Sequence, residues 1–124
     1  MTRDAKTTAL HRLLRKFSFA WAGLTAAYRS EQSFRIQLAV SAAALLAGVL
    51  LGLTQLEWLC VTIAIGTVLS LELLNTMIEK TLDLLHPAQH ERVKFIKDVS
   101  AAAVLVSSLA AAIVGLVVFS RHFF

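Results

Sequence analysis

The chain has 124 residues, 57% of them hydrophobic and only 16% charged, with a mean hydropathy of +0.70. Soluble domains carry about 45–50% apolar residues, so this composition excludes one and points to an all-α integral membrane protein, a single domain over residues 1–124. The net charge of +4 and pI near 9.7 would suit nucleic acid, but the basic residues flank apolar segments and form no stripe interleaved with aromatics. Anionic lipid headgroups are the expected partner.

The chain starts with a charged, mixed stretch that has neither a continuous apolar core nor a small-residue cleavage site, so no removable signal peptide is expected. Within it Leu10, Leu13, Leu14, Phe17, Trp21, Leu24 and Tyr28 recur at steps of three and four. Lys6, Arg12, Arg15 and Lys16 take mostly other directions. The pattern predicts an amphipathic helix over about residues 5–30, lying along the membrane surface; an ordinary helix packed on the bundle is the other reading. Trp21 and Tyr28 suit an interfacial depth.

Three apolar spans follow: Ile36 to Leu53, Trp58 to about Ile78, and Val99 to Ser120. Each is long enough, at about 20 residues, to cross a hydrocarbon core as a helix. The first and third are free of charge, whereas the second carries Glu72 inside it and Glu79 at its end. The lone Cys60 lies in that second span; it excludes an internal disulfide and reads as a small buried apolar residue. Basic residues precede span one and recur between spans two and three as Lys80, Arg92, Lys94 and Lys97, while the link from Thr54 to Glu57 has none. By the positive-inside rule the N-terminus and the 80–98 loop are cytoplasmic and the C-terminus is outside. Pro87 falls in that loop, as a helix stop should. Small residues recur every four along the spans, as at Gly48 and Gly52, Gly66 and Ser70, and Ala111 and Gly115. Such rows let helices approach closely in lipid and suggest a tight, oligomeric bundle.

The chemistry centres on span two. Glu72, Asn75, Glu79 and Asp83 are spaced three, four and four apart, so they share one helical face. An ionisable group at bilayer depth costs at least roughly 2.5–3.5 kcal/mol on insertion scales and usually marks a functional cavity. The deep carboxylate could act as a general base toward a hydroxyl, and one nearer the surface could hold Mg²⁺, which prefers oxygen ligands and keeps substrate phosphates among them. Lys94, Lys97 and Asp98 stand where the loop enters span three; a lysine beside carboxylates can bind phosphate. Glu31 and Arg35 supply another acid and base at the mouth of span one.

Plainer readings exist for several of these. Lys97 and Asp98 would also serve as interfacial charges capping span three, and Glu31 with Arg35 as an ordinary i, i+4 pair. His86 and His90 share that spacing too, but lack the further ligands a zinc site needs. No Walker loop, protein-kinase signature or Rossmann fingerprint is present, so nucleotide use would need an unusual fold.

The run Glu72-Leu73-Leu74-Asn75-Thr76-Met77-Ile78-Glu79, then Asp83, then Lys97-Asp98 followed by Ala101-Ala102-Ala103-Val104-Leu105, resembles the prokaryotic diacylglycerol kinase family, which includes the undecaprenol kinases. Ala22-Gly23-Leu24 with Ala26-Ala27, Glu31 and Phe34-Arg35 is similar to that family's N-terminal motif. The resemblance covers nearly the whole chain in order.

It implies a homotrimer in the bacterial inner membrane, each subunit with a surface helix and three transmembrane helices, and active sites shared between neighbours. It also implies transfer of the γ-phosphate of Mg-ATP to the hydroxyl of diacylglycerol or undecaprenol. By resemblance Glu72 is the catalytic base, Glu31 and Glu79 are metal ligands, and Asn75, Lys97 and Asp98 support catalysis and nucleotide binding. Arg12, Phe19 and His90 match positions that approach ATP, and the lipid acceptor would lie near Trp21. Ala88-Gln89 before His90 and Ile96 before Lys97 depart from the common family pattern. Phe34-Arg35-Ile36 and His86-Pro87 lean toward the undecaprenol-kinase branch, although Gln37 replaces a histidine often seen there. Two rivals are a small proton-coupled transporter, which leaves Lys97, Asp98 and Glu31 idle, and a structural membrane subunit, which leaves the whole acidic face unexplained.

Overall fold

The structure, a computed structural model, describes residues 2–88 and 90–124 without the side chains of Thr2 and Arg3; Gln89, one of the departures from the family pattern, lies outside the described residues. Four helices make up the described chain: α1 (Thr2–Ser30), α2 (Gln32–Leu51), α3 (Gln55–Leu85) and α4 (Glu91–Phe123). Among the described residues there is no strand. The chain divides into two units, Met1–Gln32 and Ser33–Phe124.

The first unit is essentially α1. Its stripe of large apolar side chains is exposed, Phe17, Trp21 and Tyr28 among them. Arg12 and Phe19, seven residues apart, share the helix face opposite Trp21.

In the second unit α3 and α4 pack along one another. They run antiparallel, because the start of α3 meets the end of α4 through Glu57 and His122, while the end of α3 meets the start of α4 through Asp83 and Lys97. Helices α2, α3 and α4 are each long and apolar enough to cross a membrane. At about 1.5 Å per residue, α3 and α4 exceed a hydrocarbon core about 30 Å thick. Their polar ends therefore project beyond it. Most apolar side chains of α2, α3 and α4 are exposed, as lipid-facing surfaces are; Leu50, Ile63 and Leu116 are examples. Cys60, expected to be buried, is one of the exposed residues, and its neighbour Val61 takes the inward position.

The helices outrun the apolar spans, and each end has a local cause. Helix α3 continues seven residues past Ile78 to Leu85, because nothing in Glu79–Leu85 breaks it; Pro87 then disfavours helical geometry at His86, its C-cap. Helix α4 begins at Glu91, eight residues before Val99, where the His90 side chain accepts a hydrogen bond from the Arg92 N–H. Much of the expected 80–98 loop is therefore helix, as far as Leu85 in α3 and from Glu91 in α4, and Lys94, Lys97 and Asp98 are helical. At the other end of α3 a capping box forms: Thr54 accepts from the Glu57 N–H at 3.2 Å and Glu57 accepts from the Thr54 N–H at 3.0 Å. Hydropathy reports greasiness, whereas caps and prolines set helix length.

Helix α2 stops at Leu51, two residues short of the expected boundary, because Gly52 adopts φ +71°, where a side chain would be strained. The chain then folds Leu53 into a small core with Val61 and Val118, against which Trp58, Ile65, Val114 and Phe119 pack. Beside it Glu57 faces His122 at 3.1 Å, with the two side chains only 12% and 20% exposed.

Gly48 is the close-approach position of this region. A Cβ there would meet Trp58 Cη2 at 2.8 Å and Leu53 Cδ1 at 2.9 Å, whereas a Cβ on Gly66 would meet nothing within 4 Å. Because Leu53 and Trp58 are both held in the core, Gly48→Ala should destabilise by about 1–3 kcal/mol. Gly66→Ala should instead gain about 0.5–1 kcal/mol from helix propensity. Thermal unfolding in detergent micelles compares the two, and equal midpoints would contradict this packing.

Candidate active site

Helical periodicity puts Glu72, Asn75, Glu79 and Asp83 on one face of α3, and the structure keeps all four on a single uninterrupted helix. Burial falls along this face. Glu72 is 4% exposed, Asn75 and Glu79 are half-buried, and Asp83 is exposed. A buried carboxylate is costly without a partner, and Glu72 has one. The hydroxyl of Ser33, in the first turn of α2, donates to Glu72 Oε2 at 3.1 Å. One turn along, Asn75 Oδ1 is buried with no hydrogen-bond partner. Such an orphan acceptor is rare in a folded protein; it leaves an oxygen ready for an incoming donor or cation.

At the shallow end the charges sort in a way their sequence order does not suggest. Lys97 Nζ crosses from α4 to donate to Asp83 Oδ1. Its neighbour Asp98 turns back along α4 and accepts from Lys94 Nζ at 2.7 Å. Lys97 and Asp98 are therefore not paired with each other, because adjacent helical residues point about 100° apart. The Lys94–Asp98 pair is exposed on both sides, so it contributes little stability. Lys97 is more enclosed, with 35% of its side chain exposed.

Between the helix ends lies a cleft of about 360 Å³, lined by Asp83, His86, His90, Glu91, Lys94 and Lys97 together with Pro87, Ala88 and Val93. Its lining offers two ammonium groups, two imidazoles and two carboxylates. The cap at the start of α4 engages His90 Nδ1, so the ring orientation is set by the backbone of Arg92.

Arg12, Phe19, Trp21 and Glu31 belong to the first unit. Arg12 is exposed beside Thr8 and Asp4 on a shallow surface, and Phe19 and Trp21 are exposed on opposite faces. Glu31 occupies the break between α1 and α2: its N–H donates to the Ala27 carbonyl at 2.9 Å, and Ser30 Oγ donates to its carboxylate at 3.4 Å. Among the described residues, no group of three or more His, Cys, Asp or Glu side chains is gathered to hold a metal. The ladder on α3 nevertheless offers only oxygen donors, and Mg²⁺ commonly binds through one or two carboxylates plus substrate phosphates. The donor chemistry fits that ion.

Sequence reading missed two features here. Ser33 carried no signal except its place two residues after Glu31, and the choice of Asp83 as the partner of Lys97 depends on how α3 and α4 pack.

The described chain is all-helical, with three spans apolar enough for a membrane, a graded acidic face, a bridging lysine and a cleft of mixed charge between the ends of α3 and α4. The family model described as prokaryotic diacylglycerol kinase matches residues 18–119. The undecaprenol kinase of Bacillus subtilis (strain 168) is 38% identical over 110 residues, covering 89% of each chain. A diacylglycerol kinase of Synechocystis is also 38% identical, over 104 residues that make up 83% of this chain and 59% of that protein. The diacylglycerol kinase of Escherichia coli (strain K12) is 27% identical over 117 residues, 94% of this chain and 96% of its own. The chain belongs to the prokaryotic diacylglycerol kinase family and is, by that membership, a lipid kinase.

Proposed function

We propose that the chain transfers the γ-phosphate of ATP, with Mg²⁺, to the hydroxyl of a membrane lipid alcohol, undecaprenol in preference to diacylglycerol. The observation that carries this reading is Glu72: a carboxylate 4% exposed in an apolar helix, at the deep end of a polar face whose shallow end reaches Lys97. Glu72 takes the hydroxyl proton while the lipid oxygen forms its bond to the γ-phosphorus and the bond from that phosphorus to ADP breaks. Asn75 supports the reacting groups through its unpartnered Oδ1. Lys97 and Asp98 act at the nucleotide, where positioning and charge neutralisation supply most of the catalysis. Mg²⁺, bound by Glu31 and Glu79, would neutralise phosphate charge. Arg12, Phe19 and His90 approach ATP, and Trp21 lies along the lipid.

The same reading makes residues 1–124 one domain that works as a homotrimer with shared active sites. Helix α1 lies amphipathically on the cytoplasmic face of the inner membrane, with the N-terminus inside and the C-terminus outside. The leaning to undecaprenol rests on Phe34-Arg35-Ile36 and His86-Pro87; relatives bearing each name are equally identical to this chain. A proton-coupled carrier would give Lys97, Asp98 and Glu31 no task.

The test supplies purified protein in detergent micelles with γ-labelled ATP, Mg²⁺ and equal amounts of undecaprenol and diacylglycerol. Label should enter lipid, chiefly undecaprenyl phosphate, and chelation of Mg²⁺ should stop it. Labelled phosphatidic acid as the main product would reverse the acceptor, and no labelled lipid at all would overturn the kinase reading.

A further inference from the structure

We propose that Ser33 is a positioning residue for the reaction: its hydroxyl, by donating to Glu72 Oε2, sets the plane of the carboxylate so that the base meets the lipid hydroxyl in a productive orientation. This rests on Glu72 being the base.

Serine and threonine hydroxyls in helices ordinarily return their proton to a carbonyl three or four residues back. Ser41, Thr67, Thr81 and Ser107 all do so here. Ser33 does not; it crosses to another helix and a residue 39 positions away. Its own position is exposed, so water was available to it, yet its hydroxyl engages a carboxylate that is 4% exposed. The neighbouring Phe34, 2% exposed, anchors the start of α2 and with it the direction of the hydroxyl. Since Ser33 lies in the first turn, the bond also brings Glu72 toward the positive end of the α2 dipole.

The terminal torsion of a glutamate is broad and roughly two-fold. A single donor on Oε2 removes that freedom. Oε1 is then the oxygen presented to the acceptor, and a base displaced by a small rotation is a poor one even when its proton affinity is right.

Full-length Ser33→Ala, Ser33→Thr and Glu72→Gln are assayed in micelles for kcat and for KM of ATP and lipid, each checked by thermal unfolding. Because Ser33 is exposed, alanine leaves no cavity, and the fold should persist. Ser33→Ala should lower kcat about tenfold with both KM values within about twofold, and Ser33→Thr, which keeps the hydroxyl, should recover most of it. A Ser33→Ala protein as fast as the parent, a change confined to KM, or a threonine variant no better than alanine would each overturn the role. If alanine does not fold, Ser33→Cys, similar in size but a weak donor, makes the same comparison against threonine. Glu72→Gln separates the two levels: turnover retained there removes the base itself, whereas an inactive Glu72→Gln beside an unaffected Ser33→Ala removes only the positioning.

Discussion

Glu72→Gln should lower kcat by about 10²–10⁴-fold, the range expected when a general base is lost, and leave the protein folded. The substitution is nearly isosteric, and the amide oxygen can still accept the Ser33 hydroxyl, so the contact at 3.1 Å has a substitute. What disappears is the negative charge and the site for the proton. Burying a charge costs more than burying an amide; the thermal midpoint should therefore hold or rise. Initial rates of label transfer and unfolding curves from the same micelle preparation check both halves. Turnover within tenfold of the parent would exclude Glu72 as the base.

Glu79→Ala should act at the other end of the face, lowering kcat/KM for ATP by about 10²-fold, as removal of a charge-stabilising group in an active site typically does. Glu79 is half-buried and one helical turn short of Asp83. If it holds Mg²⁺, the loss should be partly recovered by raising free Mg²⁺, because weaker binding is offset by mass action. A Mg²⁺ titration of activity decides this. A variant with lowered activity but an unchanged Mg²⁺ requirement would place Glu79 outside the metal site. Glu72→Gln offers the contrast, since its loss should not respond to Mg²⁺.

These two residues were legible in the sequence because helical periodicity is local. A spacing of three, four and four names a face without knowledge of any neighbour, and a carboxylate in an apolar stretch is conspicuous wherever it packs. The helix bounds were less legible. Hydropathy ended the second span near Ile78, but Glu79–Leu85 has no breaker and the helix runs on until Pro87 approaches. It likewise set Lys94, Lys97 and Asp98 in a loop, although His90 caps a helix that contains all three. Apolar length and helical length are different quantities, and only the first can be summed from residue scales.

By itself the sequence determined that the chain carries three apolar spans, that one of them carries an acidic face, and that Pro87 separates the last two. The tertiary structure alone decided which partners the charged and polar groups take: Ser33 for Glu72 across 39 residues, Asp83 for Lys97 across 14, and His122 for Glu57 across 65. It also decided that Gly48, rather than Gly66 or Gly115, is where a side chain cannot fit. The reason is that a helix fixes the angle between its own side chains, whereas the rotation of one helix against another is set by packing contacts that no single segment encodes.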